Sequence, residues 1–315
     1  VKHRVAVVQT GSSLFDTPRT LERMDAHCLA AAQEGAELVL FPEAYVGGYP
    51  KGLDFGARMG SRTPAGRDDF LRYWNSAIEI DGPEVRRIGS FAATMKAHLV
   101  TGVIERDGGT LYCTALFFGP NGALLGKHRK LMPTASERLV WGQGDGSTLP
   151  VFDTDVGRIG AVICWENYMP MLRQAMYAQR INVWCAPTVD EREIWQSSMR
   201  HIAYEGRCFV LSACQFMTAA DAPSDHPAFA GLSPATELIS GGSVIISPLG
   251  EVLAGPVHGR EAVLVAEIDP ADAVRGKYDL DVVGHYARPD VFSLKVNTTP
   301  RGGVNFQADA DEPGL

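Results

Sequence analysis

A chain of 315 residues, 45% hydrophobic and 21% charged, can bury a large core in one big domain or two small ones. Its formal net charge of −8 argues against nucleic acid, which needs clustered Lys and Arg. No apolar stretch approaches the roughly 20 residues that would span a bilayer.

The elements are expected in the following order. Val5-Ala6-Val7-Val8-Gln9 lies in a strand at residues 4–9, and Thr17-Pro18 opens a helix that ends near Gly35, with Pro18 suited to its first turn. A strand at 37–41 follows. Residues 45–70, with their glycines, Tyr45 and Tyr49, read as an irregular surface segment. Asp81-Gly82-Pro83 starts a helix to about His98, and strands near 99–105 and 111–118 lead into the turn Gly119-Pro120-Asn121-Gly122 and on as a hairpin. An apolar run ends at Cys164, a helix reaches about Gln179, and a strand covers 181–186. Thr188-Val189-Asp190-Glu191 fits a capping box for a helix to Gly206. Strands at 208–214, 242–247 and 262–267 close the body, and residues 217–240 read as a second irregular segment. This alternation predicts an α/β fold with helices covering mixed sheet, but does not say how many sheets there are. The sequence divides into one domain over 1–292 and a tail over 293–315 that is flexible from Thr298 unless another subunit holds it.

Three segments carry chemistry. Gly157 to Pro170 places Cys164 at a strand-to-helix junction, where helix-start amides and nearby cations would favour the nucleophilic thiolate. A free cysteine by itself is more often a small buried hydrophobe. Leu38-Val39-Leu40-Phe41-Pro42-Glu43 ends a strand in a carboxylate, which alone could equally be a solvated residue opening a loop. Gly126-Lys127-His128-Arg129-Lys130 leads to Thr134-Ala135-Ser136-Glu137, and its ordinary reading is a basic surface run at a hairpin exit. Cys28, Cys113, Cys185, Cys208 and Cys214 lie in helix- or strand-like apolar runs and read as structural. No Cys/His spacing suits zinc, so neither a metal nor a cofactor is expected. Six cysteines with no evident pairing pattern and the absence of a signal-peptide pattern before Val5 point to a reducing, cytoplasmic location.

Taken together, Phe41-Pro42-Glu43, His128-Arg129-Lys130 and Cys164-Trp165-Glu166 resemble the nitrilase superfamily of carbon–nitrogen hydrolases, whose Glu, Lys and Cys occur in that chain order. Val140 to Gly146, Ser198-Met199-Arg200-His201 and Gly284 to Asp290 are similar to the true nitrilase branch, and the resemblance runs from about residue 4 to about residue 292. It implies a four-layer α-β-β-α sandwich with the site at strand ends between the sheets. It also implies an enzyme that turns a nitrile into a carboxylic acid and ammonia. Cys164 would be the nucleophile, Glu43 the general base and Lys130 a fixed positive charge. Glu137 would hold the lysine, although Thr134 to Glu137 also fits a helix capping box. Glu166 would either orient the nucleophile's loop or merely favour a helix start.

Tyr49, Trp165, Thr188, Val189 and Trp195 are the expected substrate-binding residues, with aromatic walls suited to an apolar or aryl-bearing nitrile. The sequence does not separate arylacetonitrile or aliphatic enzymes from those acting on β-cyanoalanine. The competing readings are an amidase or carbamoylase of the same superfamily, a cyanide dihydratase, and an inactive assembly-forming or redox-sensing protein. The expected partners are a small-molecule nitrile and further copies of the chain, since Met169 to Gln179 resembles the family's dimer face and the irregular segments match places associated with spiral assembly.

Overall fold

A computed structural model describes residues 1–302. The first half of the chain supplies β1 (His3–Gln9), α1 (Thr17–Gln33), β2 (Leu38–Leu40), α2 (Pro64–Ser76), α3 (Pro83–Met95), β3 (His98–Asp107), β4 (Thr110–Phe118) and β5 (Leu124–Arg129). The second half supplies β6 (Val151–Thr154), β7 (Gly157–Ala161), α4 (Pro170–Ala178), β8 (Val183–Thr188), α5 (Glu193–Gly206), β9 (Phe209–Cys214), β10 (Phe216–Thr218), β11 (Glu237–Ile246), β12 (Val252–His258), β13 (Ala262–Ile268) and α6 (Ala271–Gly276).

These strands form two mixed sheets, ordered β13-β1-β2-β3-β4-β5 and β10-β11-β9-β8-β7-β6, with β12 paired to β11. At the centre of each, neighbouring strands run parallel: β1, β2 and β3 in one, β7, β8 and β9 in the other. Strand side chains alternate between faces, and the apolar residues use both. Val5 and Val7 meet Val183, Cys185, Phe209 and Leu211 between the sheets. Ala6 and Val8 instead face Leu21, Met24 and Cys28 of α1 and Val85 and Ile88 of α3. Trp184, Ala186 and Val210 face Leu172 and Met176 of α4 and Trp195, Met199 and Ile202 of α5. The result is the expected four-layer α-β-β-α sandwich. Each large apolar side chain buried this way contributes about 1.5–3 kcal/mol.

Several local expectations change. Residues 45–70 are not irregular throughout, because α2 begins at Pro64, where the Thr63 hydroxyl accepts the Gly66 N–H and the proline occupies the first turn. Gly66 approaches the Phe55 carbonyl so closely that a Cβ would lie 2.0 Å from its oxygen. Within 217–240 the chain extends β10 and makes two short 3-10 turns before β11. The capping box expected at Thr188 does not form, since α5 starts at Glu193 and the Thr188 hydroxyl accepts the Asp190 N–H. Of the tail, residues 297–301 lie along Asp145 and Gly146, with the Arg301 N–H donating to Asp145; residues 303–315 of the expected tail lie outside the described residues.

Candidate active site

The site gathers where strands of both sheets end, the usual place for chemistry in α/β architectures. Glu43 lies just past β2. Its loop is seated on Gly102 of β3, whose N–H donates to the Pro42 carbonyl at 3.0 Å. A Cβ at Gly102 would stand 2.4 Å from that carbonyl oxygen and 2.6 Å from the Glu43 Cα, so only glycine permits this approach. From the opposite sheet, the Gln215 amide donates to the Glu43 carbonyl at 2.8 Å.

Lys130 follows β5. The basic run is not a surface patch, because strand alternation splits it. Lys127 and Arg129 turn to the buried Glu105 carboxylate, while His128 and Lys130 turn inward and are almost fully buried. Lys130 Nζ donates to Glu43 Oε1 at 2.7 Å and to Glu137 Oε2 at 2.8 Å, over the Trp141 ring. Glu137 also accepts the Thr134 N–H at 2.6 Å and the Tyr49 hydroxyl at 2.9 Å. The helix-capping and lysine-holding readings of Glu137 therefore describe one carboxylate making both contacts.

Cys164 follows β7 and is 3% exposed. No α-helix begins there; the residue opens a 3-10 turn, Cys164–Tyr168, and α4 starts six residues on at Pro170. Its φ of 49° is a left-handed conformation that costs a non-glycine residue about 1–2 kcal/mol. The turn is held against that cost by Asn167, whose amide donates to the Val162 and Cys164 carbonyls at 2.8 Å each. Glu166 also braces it, accepting the Ile163 N–H at 2.9 Å.

Burial sets the electrostatics. It raises the Glu43 carboxyl to about 7, with Lys130 pulling the other way. Burial opposes charge on Lys130, yet Glu43 and its other neighbours outweigh this and hold the ammonium well above its ordinary range. The Cys164 thiol is pushed up, first by burial and then by the Glu43 charge, more than Lys130 lowers it. The resting sulfur is therefore a thiol, not the pre-formed thiolate expected from a helix start. Glu43 Oε2 is buried without a hydrogen-bond partner, while Oε1 accepts from Lys130 at 2.7 Å and from the Cys113 thiol at 3.7 Å.

The expected substrate-binding residues separate. Tyr49, Trp165 and Val189 line a cavity of about 200 Å³ with Cys164 at its floor, together with Glu137 and Arg192. Thr188 is not a wall residue: it is fully buried, and its hydroxyl donates to Cys164 Sγ at 3.2 Å. Trp195 is outside the cavity altogether, buried in the layer between α5 and its sheet with its indole N–H donating to the Ser212 hydroxyl. Asn167, Gln215 and Asp190 went unrecognised in the sequence. Asp190 accepts from the Trp165 indole N–H at 2.8 Å and pairs with Arg192, which fixes the aromatic wall. Their one signal is a polar residue directly beside an apolar run, which is common at strand ends everywhere.

Residues 4–278 match the carbon-nitrogen hydrolase family. The chain belongs to that family. It is 54% identical over 308 residues to a bifunctional nitrilase/nitrile hydratase of Lupinus angustifolius, covering 96% of this chain and 88% of the relative. A nitrilase of Bradyrhizobium diazoefficiens is also 54% identical, over 303 residues, covering 96% and 94%. Within the family the chain is therefore a nitrilase. Among solved structures, Nit3 of Saccharomyces cerevisiae shares the fold with a TM-score of 0.69 at 22% identity, covering 90% of this chain and 96% of that one. An amidase from Nesterenkonia does so with a TM-score of 0.65 at 18% identity, covering 88% and 94%.

Proposed function

We propose that this nitrilase hydrolyses an organic nitrile through a covalent intermediate on Cys164, with Glu43 as general base and Lys130 as fixed charge. The observation that carries the reading is a buried ammonium, Lys130, paired with Glu43 and Glu137, with Glu137 and the Cys164 thiol lining one cavity. Because the thiol is protonated at rest, attack and deprotonation belong to one event. As Sγ bonds the nitrile carbon, Glu43 takes the thiol proton and returns it to nitrogen, giving a thioimidate. Lys130 has three N–H donors and spends two on Glu43 and Glu137. The third is left to stabilise negative charge at the reacting centre, with the Trp165 backbone N–H as second donor. Water then adds with Glu43 as base, and ammonia leaves a thioester. A second water releases the carboxylic acid and regenerates the thiol.

Expulsion of the thiolate instead of ammonia would release an amide, a route in keeping with the bifunctional naming of the Lupinus relative. Tyr49, Trp165 and Val189 suit a substrate whose flank is apolar or aryl. The reading includes a homo-oligomer in the cytoplasm. Exposed Met171 on α4 and Ile194 and Tyr204 on α5 offer an apolar outer face, and all six cysteines are free and buried. Among the described residues no helix is long and apolar enough to cross a membrane. The test is a panel of aliphatic, aryl, arylacetonitrile, dinitrile, β-cyanoalanine and cyanide substrates, scored for ammonia and for acid against amide. Hydrolysis of amides with no nitrile turned over would replace this reading.

A further inference from the structure

We infer that His128 and Glu166 form a positioning pair that fixes the lysine strand against the cysteine turn. Glu166 is 1% exposed and stands between the two segments. Its Oε1 accepts the N–H of Leu131, the residue after Lys130, at 2.6 Å. Its Oε2 accepts the N–H of Ile163, the residue before Cys164, at 2.9 Å. One carboxylate thus spans the neighbours of the fixed charge and of the nucleophile, which come from different sheets.

His128 completes the arrangement. Its Nε2 lies 2.9 Å from Glu166 Oε2, and its Nδ1 contacts the Thr148 carbonyl at 2.5 Å. Both partners are acceptors, so both ring nitrogens carry protons and the ring is an imidazolium. The ring is fully buried; burial opposes its charge and Glu166 outweighs the cost. The two charges therefore form a buried ion pair, in which removal of one partner is felt far more than an exposed pair would be. Lys130 and His128 are two apart on one strand face, so the pair holds the backbone that aims the ammonium. Neither residue reaches the cavity that holds Cys164. Their effect on rate acts through the spacing of Lys130 and Cys164, where an error of about 1 Å costs roughly 100-fold.

The inference rests on the nitrilase reading, and its test separates the two. Glu166→Gln turns one acceptor into a donor, so Leu131 or Ile163 loses its bond. His128→Gln removes the cation but leaves a donor facing Glu166. The measurement is kcat and KM per folded subunit, with folding read by circular dichroism and cooperative unfolding, on a nitrile that the unaltered chain hydrolyses. Glu166→Gln should lower kcat about 100-fold and His128→Gln about tenfold, each with KM within about twofold. Unchanged kcat per folded subunit in both variants would overturn the inference. If Glu166→Gln does not fold, His128→Gln decides alone. Failure of the unaltered chain on every nitrile would count against the proposed function instead.

Discussion

Lys130 Nζ and Glu43 Oε1 meet at 2.7 Å with neither side chain open to solvent. Glu137 Oε2 lies on the other side of the same ammonium at 2.8 Å. One cation thus stands between two carboxylates that would otherwise repel at close range, and offsets that repulsion.

That relationship makes Lys130 structural as well as chemical. Lys130→Met should destabilise the chain by about 3–5 kcal/mol, because Glu43 and Glu137 lose their shared partner. It should also lower kcat by about two to three orders of magnitude. Denaturant unfolding and steady-state kinetics check the two effects. A fully active or equally stable variant would contradict this account of the ion triad.

The pH profile should follow Glu43. Its carboxyl is raised to about 7 by burial, so below that pH it is protonated and cannot accept the thiol proton. kcat/KM should therefore fall on the acid side with an apparent pKa near 7, and plateau above it. An acid limb that stays near 4.5, where an unperturbed carboxyl titrates, would remove Glu43 as the buried base.

Thr188 should tune the sulfur. Its hydroxyl accepts the Asp190 N–H, so its single proton is left for Sγ. Thr188→Val should slow alkylation of Cys164 by iodoacetamide about tenfold at a given pH, the value of one hydrogen bond to a charged group. Thr188→Ser keeps the hydroxyl and should stay within about twofold. Equal rates in Val and Ser variants would show that the contact does not stabilise the thiolate.

Tyr49 should act through Glu137. Tyr49→Phe removes the 2.9 Å hydroxyl contact while keeping the aromatic wall. We expect kcat/KM to fall about tenfold, as for loss of a hydrogen bond to a carboxylate. An unaffected rate would mean that Lys130 and Thr134 hold Glu137 by themselves.

The alternation of strands and helices left the number of sheets open, and the four layers came from the family resemblance; the apolar runs of β1, β8 and β9 face both ways because each sheet is covered on two sides. Glu43, Lys130 and Cys164 were each ambiguous alone and were singled out together by the family resemblance; each follows a strand, β2, β5 and β7. Thr188 and Trp195 were expected to line or border the cavity, with packing as the alternative for some of the five, and both pack instead. A strand end and the first turn of the next helix point in different directions, so one reaches the sulfur and the other the outer core. α2 was hidden because Gly66 and the polar Arg67-Asp68-Asp69 stretch weaken its early periodicity, although Thr63 and Pro64 mark its start. The Asn167 and Glu166 contacts to the Cys164 turn depend on backbone groups, which no side-chain pattern displays.

The most direct test is peptide-mapped mass spectrometry of the enzyme quenched during turnover of an accepted nitrile. The account predicts an added acyl or imidoyl mass on the peptide containing Cys164 and on no other cysteine peptide. An adduct confined to another residue, or undiminished nitrile hydrolysis by Cys164→Ala in the same experiment, would contradict it.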